Sequence, residues 1–185
     1  MITRITLVFA VSLLLSVGCM KKNGAADNGT MSTADSMKAA YTALSAAWDA
    51  DKVDEFDKYV STNMVEHNPF PGQEPGLAGL KKMASGMKAG FPDQKTNIDA
   101  MYVDSNILVA RSSMTGTNSG PMMGMPATNK KMTNVMGIDM VRWENGKFVE
   151  HWGLFDMNAM MMQLGLMPPP GAPAAGGAMP DKKKM

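Results

Sequence analysis

Residues 133–156, TNVMGIDMVRWENGKFVEHWGLFD, read as two β-strands folded about Glu144-Asn145-Gly146-Lys147. Asn-Gly between alternating segments is the strongest short-range hairpin signal a sequence offers. On the second arm Phe148, Glu150, Trp152, Leu154 and Asp156 share one face; Val149, His151, Gly153 and Phe155 share the other. The first arm divides into Val135, Gly137, Asp139, Val141 and Trp143 against Met136, Ile138, Met140 and Arg142. Which faces coincide depends on the loop. A two-residue turn sets Asp139 opposite Trp152, whereas a three-residue loop with Gly146 as a left-handed bulge sets it opposite His151. The three-residue loop is favoured, because it gathers Gly137, Asp139, His151 and Gly153 on one surface. That surface offers a carboxylate, an imidazole and two positions without side chains where a ligand can approach.

Upstream of the hairpin the pattern is first helical, then extended. In residues 33–50, alanines and Met37, Tyr41, Leu44 and Trp48 recur at helical spacing behind Ser32 or Thr33 as N-cap. Residues 52–60 form a second short helix presenting Val53, Phe56 and Val60, and 64–68 a brief strand that Pro69 stops. After a Pro/Gly loop, 77–89 read as a third helix with Leu77, Leu80, Met83, Ala84 and Met87 inward. Residues 95–103 and 106–117 are two strands, 119–129 a Gly/Pro/Met loop, and 157–166 a short closing helix capped by Asp156. Helices followed by a run of strands give an α+β fold: a cone-shaped, curved antiparallel sheet wrapped around two to three N-terminal helices. The open, apolar mouth of such a cone is a common place for small ligands.

The two ends of the chain are of a different kind. Arg4 precedes an apolar run from Leu7 to Val17, shorter than the roughly 20 residues a membrane-spanning helix needs, so 1–18 read as a signal peptide. Cys19, the single cysteine, follows Leu-Leu-Leu-Ser-Val-Gly, a segment that resembles a bacterial lipobox, with Ser16 where leucine is usual. The expectation is a lipid-anchored envelope protein with lipidated Cys19; the alternative is an ordinary secretory signal cleaved nearby. Residues 19–35 form a flexible tether, 36–166 the folded domain, and 167–185 a disordered Pro/Gly/Ala-rich tail. Of the 18 Lys and Arg residues one, Arg4, belongs to the signal, so 17 basic groups face 17 acidic ones after cleavage. A balanced chain has no electrostatic reason to bind nucleic acid.

Asp139 and His151 are the candidate catalytic pair, since a carboxylate beside an imidazole is a usable acid/base arrangement near neutral pH; the alternative is a structural hydrogen bond within the hairpin. His67 is either a pocket residue at a strand end or a surface residue. Arg111, in mid-strand, is either a ligand anchor or half of a buried salt bridge. Trp48 and Tyr41 are core or dimer-interface aromatics, or they line the ligand site. The 22 methionines include groups at Met122-Met123-Met125 and Met160-Met161-Met162. Thioethers are soft ligands for Cu(I), and equally an adaptable apolar filling.

An ordered series of short segments resembles the SnoaL-like polyketide and ester cyclases of the nuclear transport factor 2-like superfamily. It comprises His67-Asn68-Pro69, Gly-Leu-Ala-Gly-Leu at 76–80, Phe91-Pro92-Asp93, the Gly-rich 115–120, Asp139-Met-Val-Arg-Trp143, Glu150-His151-Trp152 and Gln163-Leu-Gly165. The resemblance implies a homodimer with a cavity between helices and sheet. It further implies an intramolecular aldol closure run without metal or cofactor by a pocket carboxylate. That carboxylate aligns with Gly153 here, and the neighbouring polar positions, His and Gln in the cyclases, align with Asp139 and Gly137; Asn118 stands for another usual His. On this reading His67, Asn68, Arg111, Gly137, Gly153, Trp48 and Tyr41 are the candidate ligand contacts. The cavity takes a small, largely apolar molecule, either transforming it or, having lost the cyclase acid at Gly153, only binding it.

Overall fold

The computed structural model describes residues 31–122, 124–168 and 171. The signal segment 1–18, Cys19 and the tether to residue 30, Met123 and most of the tail lie outside the described residues. Helix α1 runs Thr33–Asp49, and the hydroxyl of Ser32 caps it by accepting from the Asp35 N–H at 3.1 Å. The helix therefore begins before the expected tether boundary at 35, with Ser32 satisfying one of its first free N–H groups. A 3-10 helix, Val53–Lys58, leads into β1, Val60–Glu66. Helix α2 spans Gly76–Gly90 and is followed by β2, Lys95–Asp104, and β3, Ile107–Thr117. Strands β4, Lys131–Glu144, and β5, Lys147–Phe155, form the hairpin, and α3, Met157–Gln163, closes the domain under the Asp156 cap.

The five strands lie in the order β1-β5-β4-β3-β2. The α+β architecture, with α1 and α2 preceding the run β2 to β5, is as expected, but the sheet is mixed. Strands β2 to β5 pair antiparallel, and β1 joins β5 in parallel. The long connection through α2 permits that parallel placement, since no tight turn joins β1 to its partner. Its consequence is that Glu66 lies beside His151.

Helices and sheet share an apolar interior. Ala47, Phe56, Val60, Met64, Leu77 and Leu80 join α1, α2 and β1. Met37 of α1 is buried against Leu108, Ala110, Val141 and Phe148 of the sheet. At the α3 end, Phe91, Met114, Met122, Met132, Val135 and Met160 pack together, so the buried thioethers have carbon neighbours and act as apolar filling. The Asp49 carboxylate clamps the end of α1 to β2, accepting from the Thr96 N–H at 2.7 Å and its hydroxyl at 2.9 Å. Asn118 is buried; its amide donates to the Gly120 carbonyl at 2.9 Å and accepts from the Thr128 N–H at 2.8 Å. It thus holds the 118–130 loop rather than facing a ligand.

Candidate functional site

The hairpin closes with Glu144 opposite Lys147, leaving a two-residue loop in which Asn145 and Gly146 have φ of 50° and 80°. Two left-handed residues make a type I′ turn, which the twist of paired strands favours. The expected three-residue loop is therefore absent. Trp143 opposes Phe148 but Arg142 opposes Glu150, so Val149 is an extra residue, a β-bulge one step past the turn. Beyond it Asp139 faces Gly153, not His151 or Trp152, and His151 faces Val141. The bulge turns β5 over once. Phe148 thereby joins the inner face with His151, Gly153 and Phe155, instead of sharing the outer one with Glu150 and Trp152. The surface expected to carry Gly137, Asp139, His151 and Gly153 together does so, through a different loop.

His151 and Asp139 are diagonal neighbours on that surface, within reach of an imidazole and a carboxylate. His151 Nε2 lies 3.0 Å from Asp139 Oδ1. Gly153 makes this possible: a Cβ on it would stand 2.7 Å from Cε1 of the ring and 3.1 Å from Nε2. The other ring nitrogen, Nδ1, lies 2.5 Å from Glu66 Oε2 on β1. Glu66 is steadied in turn by the Asn68 N–H, 3.0 Å from its Oε1. From α1, the Tyr41 hydroxyl donates to Asp139 Oδ2 at 2.5 Å. A continuous chain of hydrogen bonds thus runs Glu66, His151, Asp139, Tyr41, drawn from β1, β5, β4 and α1.

Burial alone would depress the basicity of His151, but the hydrogen bonds and charges of Asp139 and Glu66 outweigh it and carry the pKa up to about 9. Burial, reinforced by the charge of Asp139 and the hydrogen bond to it, holds the Tyr41 phenol far above its ordinary value. At neutral pH the chain therefore carries an imidazolium and a neutral phenol.

These groups stand on the wall of a cavity of about 360 Å³. Its apolar lining includes Leu44, Trp48, Met64, Leu80, Phe148 and Met160. Tyr41, Trp48, Asn68, Gly137 and Gly153 all line it, with Asp139 and His151. His67 and Arg111 do not. Glu66 points inward on β1, so His67, the next residue, points out; its ring stacks on Trp152 with centroids 4.2 Å apart and pairs with Glu150 at 2.7 Å. Arg111 lies between the buried Ala110 and Ser112 on β3, so its guanidinium is on the outer face, 3.2 Å from Asp99. The dipeptides Glu66-His67 and Glu150-His151 are side by side on parallel strands, and each glutamate pairs with the other's histidine, one pair on each face of the sheet. Glu66 is the site residue that reading along the chain misses, because only the β1–β5 pairing brings it there. Among the described residues no group of three or more His, Cys, Asp or Glu side chains converges as a metal site.

Residues 38–164 match the family model described as SnoaL-like polyketide cyclase. Among solved structures, TsrD from Streptomyces laurentii superposes with a TM-score of 0.68 at 25% identity, over 75% of this chain and 100% of that one. A protein named as a candidate polyketide cyclase from Bacillus cereus gives 0.64 at 28% identity, over 74% and 87% of the two chains. Another so named, from Acidithiobacillus ferrooxidans, gives 0.63 at 25% identity, over 74% and 99%. No curated protein matches the sequence.

Proposed function

The chain belongs to the SnoaL-like polyketide cyclase family, and from that premise we propose that its cavity binds a small, largely apolar molecule and transforms it by cofactor-free acid/base chemistry centred on Asp139. The observation that carries this reading is the Tyr41–Asp139–His151 chain on the wall of a largely apolar cavity. With both ring nitrogens held by carboxylates, His151 is not the base; it and Tyr41 orient the Asp139 carboxylate from either side. Asp139 takes a proton from carbon beside a carbonyl of the ligand. The resulting enolate closes onto a second carbonyl of the same molecule, and the protonated Asp139 returns its proton to the new alkoxide. No electron or group is left over, so no co-reactant is required.

Deuterium exchange tests the first half of this cycle. A methyl naphthyl ketone incubated with the protein in D2O should acquire deuterium in its methyl group faster than in buffer. The acceleration should vanish in Asp139→Asn. Binding of the ketone without accelerated exchange would leave a binding module and overturn the catalytic reading.

For location, the reading is an envelope lipoprotein anchored through Cys19, supported by the signal-like 1–18 segment and the lipobox-like residues before the cysteine. Cys19→Ala should release the protein from the membrane fraction. Retention there would overturn the anchor.

A further inference from the structure

Two carboxylates and one imidazole share the cavity wall, and their charges do not cancel. Glu66 and Asp139 are the carboxylates. His151 turns Nδ1 to the first at 2.5 Å and Nε2 to the second at 3.0 Å. Ionised carboxylates only accept, so both ring nitrogens must donate and the ring carries one positive charge. Tyr41 donates to Asp139 and contributes none. Among the described residues no lysine or arginine lines the cavity. One negative charge is therefore left over, facing apolar walls. The imidazolium is already shared between two carboxylates, which leaves it no free N–H for an anion from outside.

We infer that the cavity admits uncharged or cationic apolar molecules and excludes carboxylates and phosphates of the same shape, with Glu66 setting the preference. The inference rests on the cavity being a ligand site, as proposed above. Without Glu66, the charges of Asp139 and His151 would balance and an anion would meet a neutral wall. With it, an anionic ligand gives up its hydration to enter a cavity whose net charge repels it. A protonated amine gains the opposite term, and its apolar part meets the same largely apolar lining.

The test is the binding of naphthalenemethanol, naphthalenemethylamine and naphthoate to the full chain, by titration calorimetry at neutral pH and low salt. The alcohol and the amine should bind, and naphthoate at least about ten-fold more weakly, a modest demand on like charges several ångströms apart inside a protein. Glu66→Gln, which keeps shape and hydrogen bonding, should bring naphthoate to within about three-fold of the alcohol. If that variant fails to fold, Asp139→Asn removes the same unit of charge and should give the same relief. Naphthoate binding as tightly as the alcohol to the native chain, or discrimination that survives loss of either charge, overturns the inference but leaves the ligand site standing. If none of the three compounds binds, the ligand-site reading falls and takes the inference with it.

Discussion

The ring of His151 lies over the α-carbon of Gly153, so closely that a Cβ there would stand 2.7 Å from its Cε1. The family resemblance aligns its pocket carboxylate with position 153. In this chain the neighbouring strand carries a carboxylate, Asp139, opposite that position, and the imidazole from two residues earlier fills the space. Gly153 is thus the seat of His151, not merely the trace of a lost acid. Gly153→Ala should push the ring off Asp139 and destabilise the fold by about 1–3 kcal/mol, the usual range for overpacking. Chemical denaturation measures the loss, and the imidazole resonances should show the His151 pKa falling from about 9 toward 6.5. An alanine variant with neither change would mean that the ring has a second seat.

The proton on His151 is coupled to folding. The folded pKa of about 9 stands above the ordinary histidine value of 6.5, so the proton stabilises the native state. That stabilisation is complete below pH 6.5, declines as pH rises, and is gone above about 9. It amounts to roughly 3 kcal/mol. The difference in unfolding free energy between native chain and His151→Gln should therefore shrink by that amount across the window. Urea denaturation at several pH values gives the slope; a difference constant with pH would contradict the imidazolium assignment.

Most elements were legible because each rests on local periodicity: α1 on Met37, Tyr41, Leu44 and Trp48, and the hairpin on Asn145-Gly146. The right hairpin surface was reached through the wrong loop. A bulge at Val149, an ordinary strand residue, leaves no mark in composition. Of the alternatives the sequence leaves for His67, the surface one holds, because Glu66 takes the inner face; Arg111, between the buried Ala110 and Ser112, is on the outer face and pairs with Asp99 there. Glu66 was out of reach for a different reason. Its partner is 85 residues away, and no local pattern encodes which strand lies beside β1.

Tyr41 should behave as a phenol that does not ionise while the protein is folded. Burial and the adjacent Asp139 carboxylate keep its proton in place, whereas Tyr102 is exposed. In an ultraviolet titration, Tyr41→Phe should leave the tyrosinate signal of the folded protein unchanged, yet lower that of the unfolded chain by one residue. The same variant strands an acceptor of Asp139 and should cost about 1–3 kcal/mol of stability. Loss of a tyrosinate step from the folded titration would show that Tyr41 ionises.

Deleting Val149 is the sharpest test of how the site is aimed. A one-residue deletion within a strand ordinarily turns everything beyond it to the other face. Here it should not. Phe148 already opposes Trp143 and Glu150 already opposes Arg142, so without Val149 the ladder closes with the same partners, and His151 still opposes Val141. The deletion variant should fold and keep a His151 pKa near 9, read from the imidazole resonances. Bulges also sharpen local twist and re-aim side chains. A variant that folds but titrates near 6.5 would show that the bend at Val149, not register alone, delivers the imidazole to Asp139.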